Sequence, residues 1–217
     1  MFLRPDGSEI PQGVEDFEII NISVHRPICL KYELPKQFYH ALAFTSVNGV
    51  KCADELPSFE RVYAVGPRTA EEVRRKLGVS PIVPSDFTVK ALVDLLKKEE
   101  SVLMLRSALA GLEDVREILD KVDVVRNYTL ELDERSLETV KGLLENCEVD
   151  VVAVTSPSIA KAIGGWMRPC VTVISIGPTT SKALSELGVK FVEAEVHTIS
   201  GILRKVAEVK GIGRGRG

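Results

Sequence analysis

Four places in the chain put small hydroxyl residues after a short apolar run: Thr45-Ser46, Thr69 behind Gly66-Pro67, Thr155-Ser156 with Ser158, and Thr179-Thr180 behind Gly177-Pro178. Each precedes or opens a stretch with helical spacing. Unpaired backbone N–H groups and the helix dipole at such a start favour a carboxylate or a phosphate. The two Gly-Pro pairs fix sharp turns that let backbone approach a ligand. Any one of these hydroxyls could be a simple helix N-cap. Four of them at corresponding strand ends point instead to a shared anion-binding cleft between two halves of the chain. Arg4 and Arg106 end equivalent apolar runs, and a guanidinium there could pair a carboxylate in a bidentate fork. Arg68, Lys161 and Lys182 are the other cations near these ends. Tyr128 is a polar aromatic at a hinge-like position, able to give a proton or a hydrogen bond to a leaving group.

What is missing narrows the chemistry. There is no GxSxG elbow, Walker loop, GxGxxG turn or Ser-His-Asp order. Such a protein would act by shaping its substrate and stabilising charge rather than by covalent attack. The three histidines, His25, His40 and His197, are scattered, and the four cysteines, Cys29, Cys52, Cys147 and Cys170, form no CxxC pair. Neither set suggests a metal site, so no metal and no cofactor are expected. The cysteines read as reduced, buried thiols. A net charge of -3 on 217 residues excludes a general electrostatic attraction to nucleic acid. No apolar run reaches the roughly 20 residues of a membrane span, and the first residues do not form a signal peptide. A cytoplasmic monomer acting on a small molecule, without nucleic acid or membrane partners, is the resulting expectation.

The elements that must position these residues repeat. Thr45-Ser46 and Thr155-Ser156 lie 110 residues apart, Gly66-Pro67 and Gly177-Pro178 lie 111 apart, and Leu77-Gly78-Val79 and Leu187-Gly188-Val189 lie 110 apart. Thr88 and Thr198 each open a further amphipathic run at the same spacing. Four features in one order at offsets of 110 or 111 indicate an internal duplication. Short apolar runs suited to buried parallel strands cover 42–44, 62–65, 102–105, 151–154 and 171–176, with another at 122–125. Helical spacing covers 69–77, 89–98, 111–119, 158–163, 180–187 and 199–206, with Gly78 and Gly188 placed as C-caps. Met1 to Pro5 resembles 102–107, and 17–22 and 28–32 read as further strands. The chain therefore begins one domain, builds the other, and returns to finish the first. The expected fold is α/β, with two flavodoxin-like parallel-sheet domains joined by a two-stranded linker. Domain 1 is 1–32 with 133–210, domain 2 is 36–126, and the linker strands are 28–35 and 126–133. The segment 211–217 reads as a disordered glycine-arginine tail.

These residues resemble the uroporphyrinogen-III synthase (HemD-like) family. The likeness rests on Phe44-Thr45-Ser46, Val65-Gly66-Pro67-Arg68-Thr69, Asn127-Tyr128-Thr129, Val154-Thr155-Ser156-Pro157-Ser158 and Ile176-Gly177-Pro178-Thr179-Thr180, with Leu3-Arg4-Pro5 at the first strand end. It spans nearly the whole chain apart from the tail. The resemblance implies a cofactor-free cyclisation of hydroxymethylbilane, a linear tetrapyrrole polycarboxylate, to uroporphyrinogen III. It implies carboxylates met by backbone amides and hydroxyls, and it aligns the family's proposed catalytic tyrosine with Tyr128. One departure is that 6–15, with Gly7, Pro11 and Gly13, looks too broken for the helix that usually follows the first Arg-Pro. The alternative is a non-catalytic two-lobed module that binds a polycarboxylate or phosphorylated metabolite.

Overall fold

The computed structural model describes residues 1–4 and 18–211, with Arg4 defined by its backbone. The broken segment 6–15 and the tail beyond Gly211 lie outside the described residues. In chain order the first strands are β1 (Phe2–Arg4), β2 (Asn21–Ser23) and β3 (His25–Cys29). Then come β4 (Phe38–Phe44), α1 (Val47–Lys51), β5 (Ser58–Ala64), α2 (Pro67–Leu77), α3 (Val89–Leu96), β6 (Val102–Ser107) and β7 (Val122–Leu132). The rest is α4 (Glu134–Glu145), β8 (Val151–Val154), α5 (Pro157–Ile163), β9 (Thr172–Ser175), α6 (Pro178–Glu186), β10 (Val192–Glu193) and α7 (Ile199–Val209).

The chain divides into two compact units, Pro27–Glu131 and Met1–Arg26 with Leu132–Gly217. The crossings thus fall inside β3 and at the end of β7, where the sequence suggested segments 28–35 and 126–133. The unit that holds both termini has a sheet ordered β2-β1-β8-β9-β10, with its strands parallel. Numbered within the unit this is 2-1-3-4-5, the flavodoxin-like order. The inserted unit repeats it as β5-β4-β6-β7, parallel throughout, with β3 as the outer neighbour of β7. β3 and β7 are therefore members of this sheet.

Alternation along the strands explains why both faces of each sheet are covered. In the inserted unit Leu42, Phe44, Leu103 and Leu105 pack with α1 and α2 through Val50, Ala70 and Val73. The alternate residues Ala41, Ala43, Val102 and Met104 pack on the other face with Leu92 and Leu96 of α3. The second unit does the same. Leu3, Val152 and Val154 meet α4, α5 and α6, and Phe2, Val151 and Ala153 meet Ile202 of α7. Burial on two faces is why these strands read as continuous apolar runs. No helix among the described residues is long and apolar enough to cross a membrane.

Several elements differ from the sequence reading. The second strand is Asn21–Ser23 instead of 17–22. The strand expected at 28–32 is His25–Cys29, because it follows the pairing needs of β7 and not the local alternation. The expected helix over 111–119 is a 3₁₀ stretch, Glu113–Ile118. Helix α4 had no counterpart in that reading. Asp133 caps it by accepting from the Ser136 N–H. Gly78 is the left-handed C-cap of α2, and Gly188 follows the end of α6 with the same positive φ.

The cysteines require a correction. They are not free thiols. Cys29 bonds Cys52 in the inserted unit and Cys147 bonds Cys170 in the other. Spacing gave no hint, because each pair is 23 residues apart in sequence and is brought together only by the fold. Closing loops of this length stabilises the folded state by about 3 kcal/mol each in the chain-entropy picture. Protein unfolded in guanidinium without reductant is expected to show no thiol reactive with Ellman's reagent, and four after reduction. Four before reduction would show that neither bridge forms.

Candidate functional site

In open parallel sheets the helices leave to opposite sides where the strand order reverses, and this opens a crevice at the carboxyl ends of the strands. In the inserted unit the reversal lies between β4 and β6. The residues at those ends are Thr45-Ser46, Arg106 and Ser107. In the other unit it lies between β1 and β8, flanked by Arg4 and by Thr155-Ser156.

At the first reversal Ser46 is the N-cap of α1. Its Oγ accepts from the Gly49 N–H at 3.0 Å and lies 2.8 Å from the Tyr128 hydroxyl. Thr45 is half-buried beside it. Tyr128 is 6% exposed and belongs to β7, not to a free hinge. Ser46 has one O–H to donate. If it donates to the Tyr128 Oη, the phenol proton is left to point at a ligand, and the phenolate formed after transfer keeps a hydrogen bond. This is a usable geometry for a proton donor.

Arg106 departs from the expected free carboxylate partner. It is buried, and its two terminal nitrogens donate to the Asp114 carboxylate at 2.9 and 2.8 Å. The hydrogen bonds from Arg106 hold the Asp114 carboxyl below its ordinary value. Its bidentate face is thus taken by its own unit. The side chain of Arg4 is not among the described features.

At the second reversal Thr155 donates through Oγ1 to the Leu3 carbonyl at 2.9 Å. Ser156 is the N-cap of α5 and accepts from the Ile159 N–H. Its Oγ is 3.0 Å from that of Ser158, which in turn is 3.3 Å from Nε2 of His25. Burial lowers the pKa of His25, so the neutral imidazole is favoured. Sequence reasoning did not single out His25, because a lone histidine in an edge strand carries no motif.

The two Gly-Pro turns are alike in both units. Gly66 and Gly177 are N-caps of α2 and α6, with Pro67 and Pro178 at the first helical position. Thr69 is buried in the first turn of α2. Thr179 is exposed and Thr180 is buried in the first turn of α6. The Thr180 Oγ1 has no hydrogen-bond partner. Among the twelve binding residues proposed from sequence, the structure thus joins Ser46 to Tyr128 and Ser156 to Ser158, and places the two Gly-Pro turns alike. It turns Arg106 elsewhere.

Two doubly wound α/β units, each with a serine-capped helix at its strand-order reversal, define the class of fold. The chain belongs to the uroporphyrinogen-III synthase HemD family, whose model matches residues 23–204. The uroporphyrinogen-III synthase of Chlorobaculum parvum is 27% identical over 179 residues, covering 70% of this chain and 72% of its own. A protein of Methanocaldococcus jannaschii is 25% identical over 192 residues, covering 79% and 80%. The crystal structure of uroporphyrinogen-III synthetase from Helicobacter pylori shares the fold, with a TM-score of 0.57 at 21% identity, covering 91% of this chain and 95% of that one.

The Arg106–Asp114 pair gives a stability test. Asp114→Ala removes the partner of a buried guanidinium, and because the Asp114 side chain is itself 36% exposed the expected cost in guanidinium unfolding is about 2 kcal/mol. The folded pKa of Asp114 is depressed, so its contribution is present above the ordinary value of 3.8 and is lost as pH falls through the lower folded value. An unchanged midpoint for the variant at neutral pH would show that the pair contributes nothing.

Proposed function

We propose that the chain is a uroporphyrinogen-III synthase that cyclises hydroxymethylbilane to uroporphyrinogen III, inverting the terminal pyrrole ring and releasing water. The observation that carries the assignment of roles is the Tyr128–Ser46 hydrogen bond at a strand-order reversal. Tyr128 donates its phenol proton to the departing hydroxyl, which leaves as water, and Ser46 supports the phenolate. The azafulvene cation so formed is attacked by the substituted carbon of the terminal ring. The spiro intermediate then fragments and recloses, and loss of a ring proton restores the tyrosine. The net change is loss of water, so no oxidant or cofactor is needed.

The substrate's carboxylates are the handles that favour this attack over simple closure. Thr45, Gly66 and Thr69 of one unit, and Thr155, Ser156, Ser158, Gly177, Thr179 and Thr180 of the other, supply hydroxyl and backbone donors for them. Arg4 remains a candidate cation at the β1 end. The protein acts as a cytoplasmic monomer. That location sits beside two disulfides only where the compartment or the fold protects them, as intracellular proteins of hyperthermophiles do.

Incubation with hydroxymethylbilane tests the reading. Isomer III is the expected product, and isomer I alone would favour a non-catalytic binding module. Tyr128→Phe should lower kcat by about a hundredfold with little change in KM. A wild-type rate for that variant would remove Tyr128 from the chemistry.

A further inference from the structure

Tyr128 and its neighbour Asn127 break a rule of strands. Successive side chains on a strand point to opposite faces. Yet Tyr128 reaches Ser46 at the N-cap of α1, and Asn127 Nδ2 donates to the Gly49 carbonyl of the same helix at 2.7 Å. The register explains how. Arg106 of β6 pairs with Arg126 of β7, but the next residue, Ser107, pairs with Tyr128. Asn127 is the extra residue of a β-bulge, a device that re-aims side chains. The bulge turns two consecutive residues toward one five-residue helix.

That helix is too short to hold itself in place. It is fastened at three points. Ser46 and Tyr128 meet at its start. The Asn127 amide holds Gly49 in its middle, where an added Cβ would lie 3.1 Å from the Leu105 carbonyl. At its end the C-cap residue Cys52 is bonded to Cys29 of β3. β3 lies against β7, and just past β3 the Leu30 N–H donates to the Asn127 carbonyl. The disulfide and the asparagine thus close a loop of fixed contacts around α1. Asn127 is fully buried, and its Oδ1 has no partner. A group that leaves a buried acceptor unpaired costs stability that simple packing would not require.

We propose that the β7 bulge, Asn127 and the Cys29–Cys52 disulfide form a clamp on α1 that positions the Ser46 hydroxyl against Tyr128, and that reduction of this bridge slows catalysis. The inference rests on Tyr128 being the proton donor. Asn127, Cys29 and Cys52 touch no reacting atom and are positioning residues.

The test uses the full chain and isomer III formation, with folded fraction followed by circular dichroism. Dithiothreitol reduces both bridges, each taking up two electrons and two protons while the reagent closes to its cyclic disulfide. Reduction should lower kcat per folded molecule about tenfold, with KM moving less than about twofold. Cys147→Ser/Cys170→Ser should keep wild-type kcat and respond to reductant fully. Cys29→Ser/Cys52→Ser should be slow from the start and ignore it. Asn127→Leu, which keeps the branching at Cγ and removes the hydrogen bond, should show the same kcat loss. The coupling to Tyr128 separates positioning from simple structural support. In Tyr128→Phe, reduction should add less than about a twofold further loss. A full tenfold loss in that background, or no loss in the wild type, would overturn the clamp. A wild-type rate in unreduced Tyr128→Phe would instead overturn the catalytic reading itself.

Discussion

The reversal of strand order in each sheet is the constraint on which the candidate sites depend. Parallel strands deliver all their carboxyl ends to one edge, and helices leave that edge to either face. Only where adjacent strands send their helices to opposite faces does the edge open. The order reverses between β4 and β6 in one unit and between β1 and β8 in the other. Every hydroxyl singled out in sequence sits at such a carboxyl edge because the chain turns there from strand to helix. The need to cap that helix and the ability to hold an anion arise from the same unpaired N–H groups.

Those two uses compete for the same side chains. Ser46 and Ser156 each accept from the N–H three residues on, so one lone pair of each is already committed. The cap leaves their O–H groups for a second contact, with Tyr128 in the case of Ser46 and with Ser158 in the case of Ser156. Thr155 has spent its proton on the Leu3 carbonyl and can only accept from a further donor. Arg106 commits both terminal nitrogens to Asp114, and only its buried Nε is left without a partner. The geometry therefore sorts the set: Ser46 meets Tyr128 while capping, Ser156 meets Ser158 while capping, Thr155 holds β1 to β8, and Arg106 stiffens its own unit.

The sequence made the sheets legible for a physical reason. Strands buried on both faces read as unbroken apolar runs, and helix starts carry Ser, Thr or Gly-Pro, so periodicity and caps located most of the elements. It also made the duplication legible through a repeated offset of 110 or 111. What it hid were features set by distant contacts. The Cys29–Cys52 bridge joins a strand end to a helix end, and no spacing rule encodes that. Asp114 becomes the partner of Arg106 only because a 3₁₀ turn, not a full helix, follows β6. The bulge at Asn127 is visible solely as a slip in register against β6. Asn127 stood inside the Asn-Tyr-Thr motif, yet its type alone could not show that its amide would reach Gly49.

The Gly-Pro pairs read in sequence as sharp turns that let backbone approach a ligand. Gly66 and Gly177 are in fact extended, with φ of -167 and 172, a conformation open to any residue. What a side chain there would meet is a neighbouring ring that must give by a few tenths of an ångström. A Cβ on Gly66 would lie 3.2 Å from the Cβ of Phe87, and one on Gly177 would lie 3.0 Å from Cγ of His197. Phe87 and His197 precede the caps Thr88 and Thr198, so each lies at the start of the next helix of its unit. Both are more than half exposed. A large ring that is left in solvent, pressed on a bare glycine at the start of a helix, is not packing a core. It covers one side of the turn. In each Gly-Pro pair the proline sets the helix and the glycine makes room for the ring that borders it.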